Sequence, residues 1–263
     1  MNLDEGWRSE KLAAGTLGCR ALGTAPLSPH ESARRAPPEG QVRSMFDDVV
    51  ERYDLVNGLL SLGLDRVWRR ATARALGETG GGPVLDLGCG TGRLGELMSS
   101  RGHVIGLDLS HPMLVRARAR AGSGARPSLV QGSAFALPFG TGAFSGAVSG
   151  FVLRNLRDLP AAFEELARVL RPGARVALVD ITEPRNRTLR RLFDAYFGTL
   201  APALGAAVGK RDAYRYLVGS LAQLPPPREV VSQLEDAGFE GCEARPLTGG
   251  MVTLFSGNRE APP

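Results

Sequence analysis

Residues 84–92, VLDLGCGTG, constrain the fold more than any other part of the sequence. A short apolar run that carries Asp86 is followed by glycines at alternate positions, Gly88, Gly90 and Gly92. An apolar run that breaks into glycines predicts a buried strand followed by a tight turn. Because glycine has no Cβ, a ligand can lie directly against the backbone of such a turn. The segment therefore predicts a ligand site at the end of a buried strand.

The spacing of the glycines indicates which ligand the turn accepts. A dinucleotide-binding turn has its third glycine three residues after the second, where a helix packs close and holds a pyrophosphate, but Arg93 occupies that position here. The next apolar run, residues 104–107, leads to Asp108, and an acid at that point can accept both hydroxyls of an adenosine ribose. Together with Asp86, this pattern favours a nucleoside that carries an amino acid and no pyrophosphate, which describes S-adenosylmethionine. A glycine turn that only connects strand to helix, and an NAD-type site, are the alternatives.

Strand and helix patterns alternate along the predicted cofactor-binding core, residues 83–182. After the first strand, the patterns predict six more strands, at residues 104–108, 128–131, 143–149, 175–181, 242–247 and 251–256. Helices are predicted between them at about residues 94–101, 111–121 and 158–170. The alternation predicts an α/β fold with a doubly wound, mostly parallel seven-stranded sheet, in which ligands bind at the carboxyl ends of the strands. The candidate residues at such ends are Asp86, Asp108, Ser133 and Arg154.

The remaining segments add to this core. Prolines and small residues predict a poorly ordered extension over residues 1–40, whereas apolar residues at helical spacing predict a helical cap over residues 41–80. Aromatic and leucine residues beyond the core predict a helical lid over residues 187–225, and residues 226–258 predict a closing helix with the last two strands. We therefore expect one domain, residues 41–258, behind an extension.

The composition limits the classes of partner. The net charge is +5 at pH 7, but the basic residues alternate with acids and lack the interleaved aromatic residues of a base-stacking surface, so nucleic acid is not expected as a partner. No window approaches the ~18 uninterrupted apolar residues of a membrane span. The three cysteines, Cys19, Cys89 and Cys242, are far apart and lack metal-ligand spacing, so neither a disulfide nor a metal site is predicted.

Two further segments are more specific than the glycine turn. One is YDLVN at residues 53–57 with SLGLDRVW at residues 61–68, and the other is FVLRN at residues 151–155. Three more segments extend the pattern towards the end of the chain: RVLRPG at 168–173, DAYRYL at 212–217 and LTGG at 247–250. In these segments, over about residues 42–258, the chain resembles the menaquinone/ubiquinone biosynthesis C-methyltransferase family, a family of enzymes similar to demethylmenaquinone methyltransferase.

The resemblance implies a Rossmann-like class I methyltransferase. Such an enzyme transfers the methyl group of S-adenosylmethionine to a ring carbon of a prenylated hydroquinone, and the expected reaction is demethylmenaquinol to menaquinol. By position, the resemblance implies cofactor contacts at Thr91, Asp108, Ser133, Ala134 and Gly150. The predicted cofactor site also includes the turn residues and the neighbour of Asp108, namely Asp86, Gly88, Gly90 and Leu109.

Three positions depart from the family pattern. Ser133 stands where the family usually has Asp or Asn, Gly150 stands where serine is common, and Val152 replaces a glycine. A serine hydroxyl still accepts a hydrogen bond from an adenine amine, although it reaches less far. Three alternatives for function therefore stay open: a ubiquinone precursor as acceptor, a soluble aromatic or polyketide acceptor, or a non-catalytic cofactor-binding subunit of a quinone-synthesis complex.

The predicted catalytic residues are Arg154, Asn155 and Tyr53. A ring carbon becomes nucleophilic when the neighbouring hydroxyl ionises, and phenols titrate near pH ~10, so the site must favour the phenolate. Arg154 is the candidate cation for this stabilisation, and the alternative is that it forms a salt bridge with a structural acid. Asn155 is expected to orient the ring or a water molecule that accepts the proton, and Tyr53 to close over the ring.

The expected partner is the prenylated quinol itself. Arginines and lysines beside the apolar residues of the lid predict peripheral contact of residues 187–225 with a membrane; they are Arg187, Arg190, Arg191, Lys210, Arg211 and Arg215. The expected location is the cytoplasm, at the inner face of the membrane. Self-association into a homodimer is left open.

Overall fold

A computed structural model describes residues 37–51, 53–98, 102–121, 128–200, 219–221 and 223–261, without the side chains of Val56 and Leu200. Most of the predicted extension, Cys19 and the lid arginines at 211 and 215 lie outside these residues, as does Lys210. The last residues of the helix predicted over 94–101 also lie outside them.

The centre of the molecule is a seven-stranded sheet with the order β3-β2-β1-β4-β5-β7-β6. The strands are β1 (Val84–Leu87), β2 (Val104–Asp108), β3 (Ser128–Gln131), β4 (Phe144–Gly150), β5 (Leu170–Ile181), β6 (Phe239–Leu247) and β7 (Val252–Arg259). The first five strands pair in parallel, and β7 pairs antiparallel with β5 and β6. The predicted doubly wound, mostly parallel sheet is therefore confirmed.

Helices cover both faces of the sheet. In chain order they are α1 (Glu39–Val49), α2 (Tyr53–Leu60), α3 (Asp65–Leu76), α4 (Arg93–Met98), α5 (His111–Arg120), α6 (Leu159–Val169), α7 (Arg187–Ala195) and α8 (Pro227–Asp236). Side chains alternate across β5, so that Val176 and Leu178 pack with α6 and α8, whereas Ala177 and Val179 pack with α3 and α4. The period of two along an apolar strand thus gives the sheet one hydrophobic core on each face.

Side-chain caps begin two of these helices. The Ser110 hydroxyl accepts from the N–H of Met113 at 3.3 Å and begins α5, and the Asp158 carboxylate accepts from the N–H of Ala161 at 3.1 Å and begins α6. Each cap satisfies a backbone donor that has no partner within its helix.

Several boundaries differ from the sequence prediction. Strand β6 begins at Phe239 rather than at residue 242, and β7 ends at Arg259 rather than at residue 256. Helix α1 begins at Glu39, inside the segment predicted as a poorly ordered extension, because Pro38 lies just before the first turn, where its carbonyl accepts from Gln41 and Val42. Strand β5 begins at Leu170 rather than at residue 175. Leu170 pairs with Phe144, and the register is irregular before the next pair, Arg175 with Gly146. The chain turns within this irregularity, where Gly173 has a φ of +75°, and the strand continues beyond it.

The lid is described only in part. Helix α7 is followed by a π-helical turn, Tyr196–Leu200, and the Tyr196 hydroxyl donates to the carbonyl of Leu60 at 2.8 Å. This bond joins the lid to the end of α2, so the lid and the cap meet on the same side of the sheet. Within the ranges given above, no helix is long and apolar enough to cross a bilayer.

Candidate active site

The glycine turn between β1 and α4 has a backbone that favours glycine. The φ angles are +64° at Gly88, +54° at Gly90 and +79° at Gly92, which side chains rarely tolerate. At Gly88 a Cβ would also lie 2.4 Å from a Cγ of Val152. The turn and the loop after β4 therefore approach each other closely, and Val152, one of the departures from the family pattern, packs on Gly88.

Asp108 lies at the carboxyl end of β2 and is bonded to this turn. Its Oδ2 accepts from the N–H of Gly90 at 2.7 Å, and its Oδ1 accepts from the N–H of Ser110 at 2.9 Å. Burial raises the pKa of Asp108, while the N–H groups of Ser110, Gly90 and Leu109 oppose that shift. A carboxylate has about four acceptor positions, so Asp108 retains capacity for the two hydroxyls of a ribose.

A crevice opens where β1, β2 and β4 end. Eight of the predicted site residues line it: Tyr53, Gly88, Gly90, Asp108, Leu109, Ala134, Gly150 and Asn155. Val42 and Phe46 of α1 also line the crevice, and its volume is about 90 Å³. Ligand pockets commonly measure about 300–1,000 Å³, so the crevice in this conformation is narrower than such pockets.

Asp86 lies behind the lining of the crevice. Because Leu85 and Leu87 point into the core under α6, the intervening Asp86 points to the opposite face, towards α3 and α4. It is buried, and Oδ2 has no hydrogen-bond partner among the described residues. Burial raises the pKa of Asp86 to about 7, against the opposing effects of the Arg69 charge and the N–H of Gly95. The contact of Asp86 with an ammonium group of the cofactor therefore stays a prediction.

Thr91 holds the cap rather than lining the crevice. Its hydroxyl donates to Asp54 Oδ1 at 2.7 Å. Asp54 Oδ1 also lies 3.5 Å from Arg93 Nε, and Asp54 Oδ2 pairs with Arg120. These bonds fix the first turn of α2 against the glycine turn, and thereby place the neighbouring Tyr53 over the crevice.

Ser133 is bonded to a residue that the sequence prediction missed. Its hydroxyl donates to Glu39 Oε1 at 2.6 Å and accepts from the N–H of Phe135 at 3.0 Å. Glu39 itself lines the crevice and brings a carboxylate to the side where Ala134 and Phe135 lie. The contact joins residues 94 positions apart, so no local pattern indicated it.

A second, larger cavity of about 340 Å³ adjoins the crevice. Its walls are mainly apolar and come from α2, the α2–α3 turn, α3, the loop after β4, α7 and the π-helical turn; they include Leu60, Leu64, Trp68, Phe193, Tyr196 and Phe197. Tyr53 and Phe151 line both the crevice and this cavity. The two spaces therefore meet at these two rings.

Arg154 lines the large cavity and is 5 % exposed. Its Nη1 pairs with Asp180 Oδ1, its own N–H donates to Asp180 Oδ2 at 3.0 Å, and its Nε donates to Ser220 at 3.3 Å. The salt bridge raised as an alternative is thus present, and Arg154 is not an isolated cation. In the sequence, the presence of the acid Asp180 within the apolar run of β5 indicated that a cation lies beside it.

Asn155 lies on the crevice side of the junction. Its Nδ2 is 3.5 Å from the carbonyl of Phe151, and it lines the crevice rather than the large cavity. Phe151 has a positive φ of +68°, which is uncommon for a bulky residue and occurs mainly where function or packing demands it. The strained turn after β4 thus presents the Phe151 ring to both cavities.

A glycine turn after the first strand, an acid after the second and an apolar cavity beside them are the arrangement of a class I S-adenosylmethionine-dependent methyltransferase. Solved structures share this fold. A SAM-dependent methyltransferase from Thermotoga maritima has a TM-score of 0.61 at 18% identity, covering 83% of this chain and 99% of its own. The Haemonchus contortus phosphoethanolamine N-methyltransferase 2 complex with S-adenosyl-L-methionine has a TM-score of 0.59 at 15% identity, and the match covers 82% of this chain and 60% of that one. At these identities the likeness concerns the fold.

The chain belongs to the ubiE/COQ5 methyltransferase family, whose model matches residues 34–259. The ubiquinone/menaquinone biosynthesis C-methyltransferase UbiE of Syntrophotalea carbinolica is 37% identical, covering 86% of this chain and 97% of its own. The demethylmenaquinone methyltransferase of Mycolicibacterium gilvum is 40% identical, and the match covers 83% of this chain and 95% of the relative. The protein is therefore an S-adenosyl-L-methionine-dependent methyltransferase of quinone biosynthesis, as the sequence predicted.

Proposed function

We propose that this protein methylates a ring carbon of demethylmenaquinol to form menaquinol. The observation that carries the proposal is the large apolar cavity that meets the crevice at Tyr53 and Phe151. A prenylated aromatic ring is apolar enough for such a cavity and flat enough to lie between the two rings. Curated relatives that are named demethylmenaquinone methyltransferase support this acceptor.

Within this proposal, the residues around the cavity favour ionisation of the acceptor hydroxyl. S-adenosylmethionine supplies an electrophilic methyl group when it is bound in the crevice. The Arg154 guanidinium, held by Asp180, presents N–H donors to the acceptor oxygen and stabilises its negative charge while a water molecule takes the hydroxyl proton. Tyr53 and Phe151 hold the ring carbon towards the crevice, and after methylation the proton on that carbon passes to a water molecule, so that the C–H electron pair restores the aromatic ring.

The identity of the proton acceptor follows from what lines the cavities. Neither His103 nor His111 is among their lining residues. The carboxylates that line the cavities, Glu39, Asp65 and Asp108, already accept hydrogen bonds from other groups. In our proposal the acceptor is therefore a water molecule near Asn155 and Arg154.

Methyl transfer from labelled S-adenosylmethionine tests the acceptor. The purified protein is supplied under reducing conditions in detergent with a short-tailed demethylmenaquinol and, in parallel, with a demethoxy-ubiquinol precursor. The ubiquinol arm is included because one relative is named for both quinones. We expect label in the menaquinol product. Label only in the ubiquinone precursor, or in neither quinol, would contradict the proposal.

We also infer that the mouth of the large cavity contacts a lipid surface at the inner face of the membrane. Leu62, which has a φ of +51°, is 76% exposed and Leu192 is 59% exposed, and both line the mouth. On α3 the exposed arginines Arg66, Arg70 and Arg74 recur every four residues on one face. Exposed leucines beside cations suit an anionic membrane. Formation of a homodimer stays a prediction.

Vesicle co-sedimentation tests this surface. We expect binding to vesicles that contain phosphatidylglycerol and weaker binding to pure phosphatidylcholine. The variants Leu62→Asp and Leu192→Asp should lose binding, whereas Val115→Asp should not, since Val115 is 55% exposed but lies on α5 and outside both cavities. Equal binding of all three variants would contradict the membrane contact.

A further inference from the structure

A second arginine, Arg69 of α3, lies at the junction of the two cavities. It lines the large cavity. A Cβ on Gly150, which lines the crevice, would be 3.0 Å from Arg69 Nη1. The Arg69 Cζ is 5.0 Å from the centre of the Phe151 ring, which lines both spaces. The guanidinium group therefore lies where the cofactor and acceptor sites adjoin, and the absence of a side chain at position 150 makes room for it.

The hydrogen bonding of Arg69 is incomplete. Its side chain is 9% exposed, and Nε has no hydrogen-bond partner among the described residues. Its ion-pair partner, Asp65 Oδ2, is 3.7 Å from Nε and accepts a shorter bond from Arg93 Nη1 at 2.6 Å. A buried donor without a partner is unfavourable, so a ligand oxygen at this point would be bound strongly.

The charges around Arg69 leave a positive excess. Arg69, Arg93 and Arg120 share two carboxylates, Asp65 and Asp54. Burial raises the pKa of the nearby Asp86 carboxyl to about 7, so it supplies only part of a negative charge near neutral pH. Arg154, in contrast, has Asp180 to itself in the ion pairs of the described chain. The excess cation of the site is thus Arg69.

We propose that Arg69 binds an oxyanion at this junction. Two molecules can present one there: the cofactor through the carboxylate of its methionine part, and the acceptor through its ionised hydroxyl. The chemistry is the same, because a guanidinium group donates charge-assisted N–H bonds to either oxygen. The acceptor source rests on the function proposed above, whereas the carboxylate source needs only the cofactor.

Calorimetric binding of S-adenosylmethionine and of its decarboxylated form separates these sources. The variants are Arg69→Gln and Arg69→Lys, and the matched control is Arg228→Gln, an exposed arginine of α8 that lines neither cavity. If the source is the carboxylate, Arg69→Gln weakens S-adenosylmethionine binding about tenfold or more and leaves the decarboxylated form unchanged. Arg69→Lys, which keeps the charge, should give an intermediate loss.

The acceptor arm uses 2-naphthol, a redox-stable phenol whose ionised form has its own absorption spectrum. If the source is the acceptor, the wild-type protein lowers the pKa of bound 2-naphthol, and Arg69→Gln reduces that shift to the part that Arg154 supplies, while cofactor affinity is unchanged. The proposal is overturned if Arg69→Gln stays within about twofold of Arg228→Gln for the cofactor and leaves the naphthol spectrum unaltered. Should Arg69→Gln fail to fold in a thermal melt, the same comparison is decided with Arg69→Lys. If the wild-type protein methylates no quinol, the proposed function is wrong, whereas the binding of the cofactor carboxylate by Arg69 is still tested by calorimetry.

Discussion

The crevice and the large cavity are built in different ways. The polar groups of the crevice are backbone groups of the glycine turn and one acid at the end of β2, all within the parallel part of the sheet, and the cap covers them. The large cavity uses mainly side chains of the cap, the loop after β4 and the lid, which the sheet does not position by itself. The polar groups of the proposed cofactor site therefore follow from the sheet, whereas the proposed acceptor site depends on the helices added to it.

The largest effect is expected at Arg154, on the side of the large cavity. Arg154→Ala should lower turnover by about 10²–10³-fold and leave cofactor affinity unchanged, since Arg154 does not line the crevice. Removal of the cation also leaves Asp180 buried without its partner, and breaking a buried pair costs about 3–5 kcal/mol of stability. Steady-state kinetics and urea denaturation measure the two effects.

The paired substitution Arg154→Gln with Asp180→Asn separates chemistry from folding. It should recover most of the stability but not the turnover. Full turnover in the paired variant would contradict a role for Arg154 in stabilising the acceptor oxygen.

Asp108 is the corresponding test of the crevice. Asp108→Ala removes the ribose acceptor and the bonds that hold Gly90 and Ser110, so cofactor affinity should fall by about 100-fold, which corresponds to two charged hydrogen bonds. Calorimetry with S-adenosylhomocysteine measures the loss. Asp236→Ala, an exposed acid at the end of α8, should bind normally, and equal affinity of both variants would contradict the assignment.

Asp86 predicts a pH dependence of the cofactor-free protein. Its pKa is raised from 3.8 to about 7 by burial, so above pH ~4 the folded state holds a proton that the unfolded state has released. Stability from this group is therefore greatest at low pH, falls as pH rises towards 7, and levels off above it. Between pH 5 and 7 the loss is roughly 2 kcal/mol.

Asp86→Asn should remove that part of the pH dependence, because an amide does not titrate. The free energy of unfolding is measured by urea denaturation at pH 5 and at pH 7. The change in this free energy between the two pH values, taken for the wild type minus the variant, reports Asp86 alone. Identical slopes would show that Asp86 is ionised throughout this range.

The smallest effect on the crevice is expected at Glu39. If its carboxylate accepts the adenine amine beside Ser133, Glu39→Ala should weaken S-adenosylhomocysteine binding about tenfold, as expected for one charged hydrogen bond. Binding of the deaminated analogue S-inosylhomocysteine should not change, since it has no amine to donate. Glu51→Ala, an exposed acid just after α1, is the control, and equal losses for both ligands would exclude the amine contact.

The sequence predicted what depends on local patterns and missed what depends on distant contacts. The glycine turn, Asp108 and the order of strands could be read because a parallel sheet places the carboxyl ends of its strands together. The partners Asp180 of Arg154 and Glu39 of Ser133 could not be assigned, because each contact joins elements far apart along the chain. Asp86 was expected in the lining, yet the alternation of side chains along β1 turns it towards α3 and α4.

The central claim is that the cofactor and the acceptor occupy separate spaces that meet at Tyr53 and Phe151. Phe197 lines only the large cavity and packs on Phe193 with ring centres 4.5 Å apart. The most direct test is the pair of constants for Phe197→Ala, namely the KM for demethylmenaquinol and the Kd for S-adenosylhomocysteine. We predict that the acceptor KM rises several-fold, as expected for about 1–2 kcal/mol of lost apolar contact, while the cofactor Kd stays at its wild-type value. A cofactor Kd that rises as much as the acceptor KM would contradict the separation of the two sites.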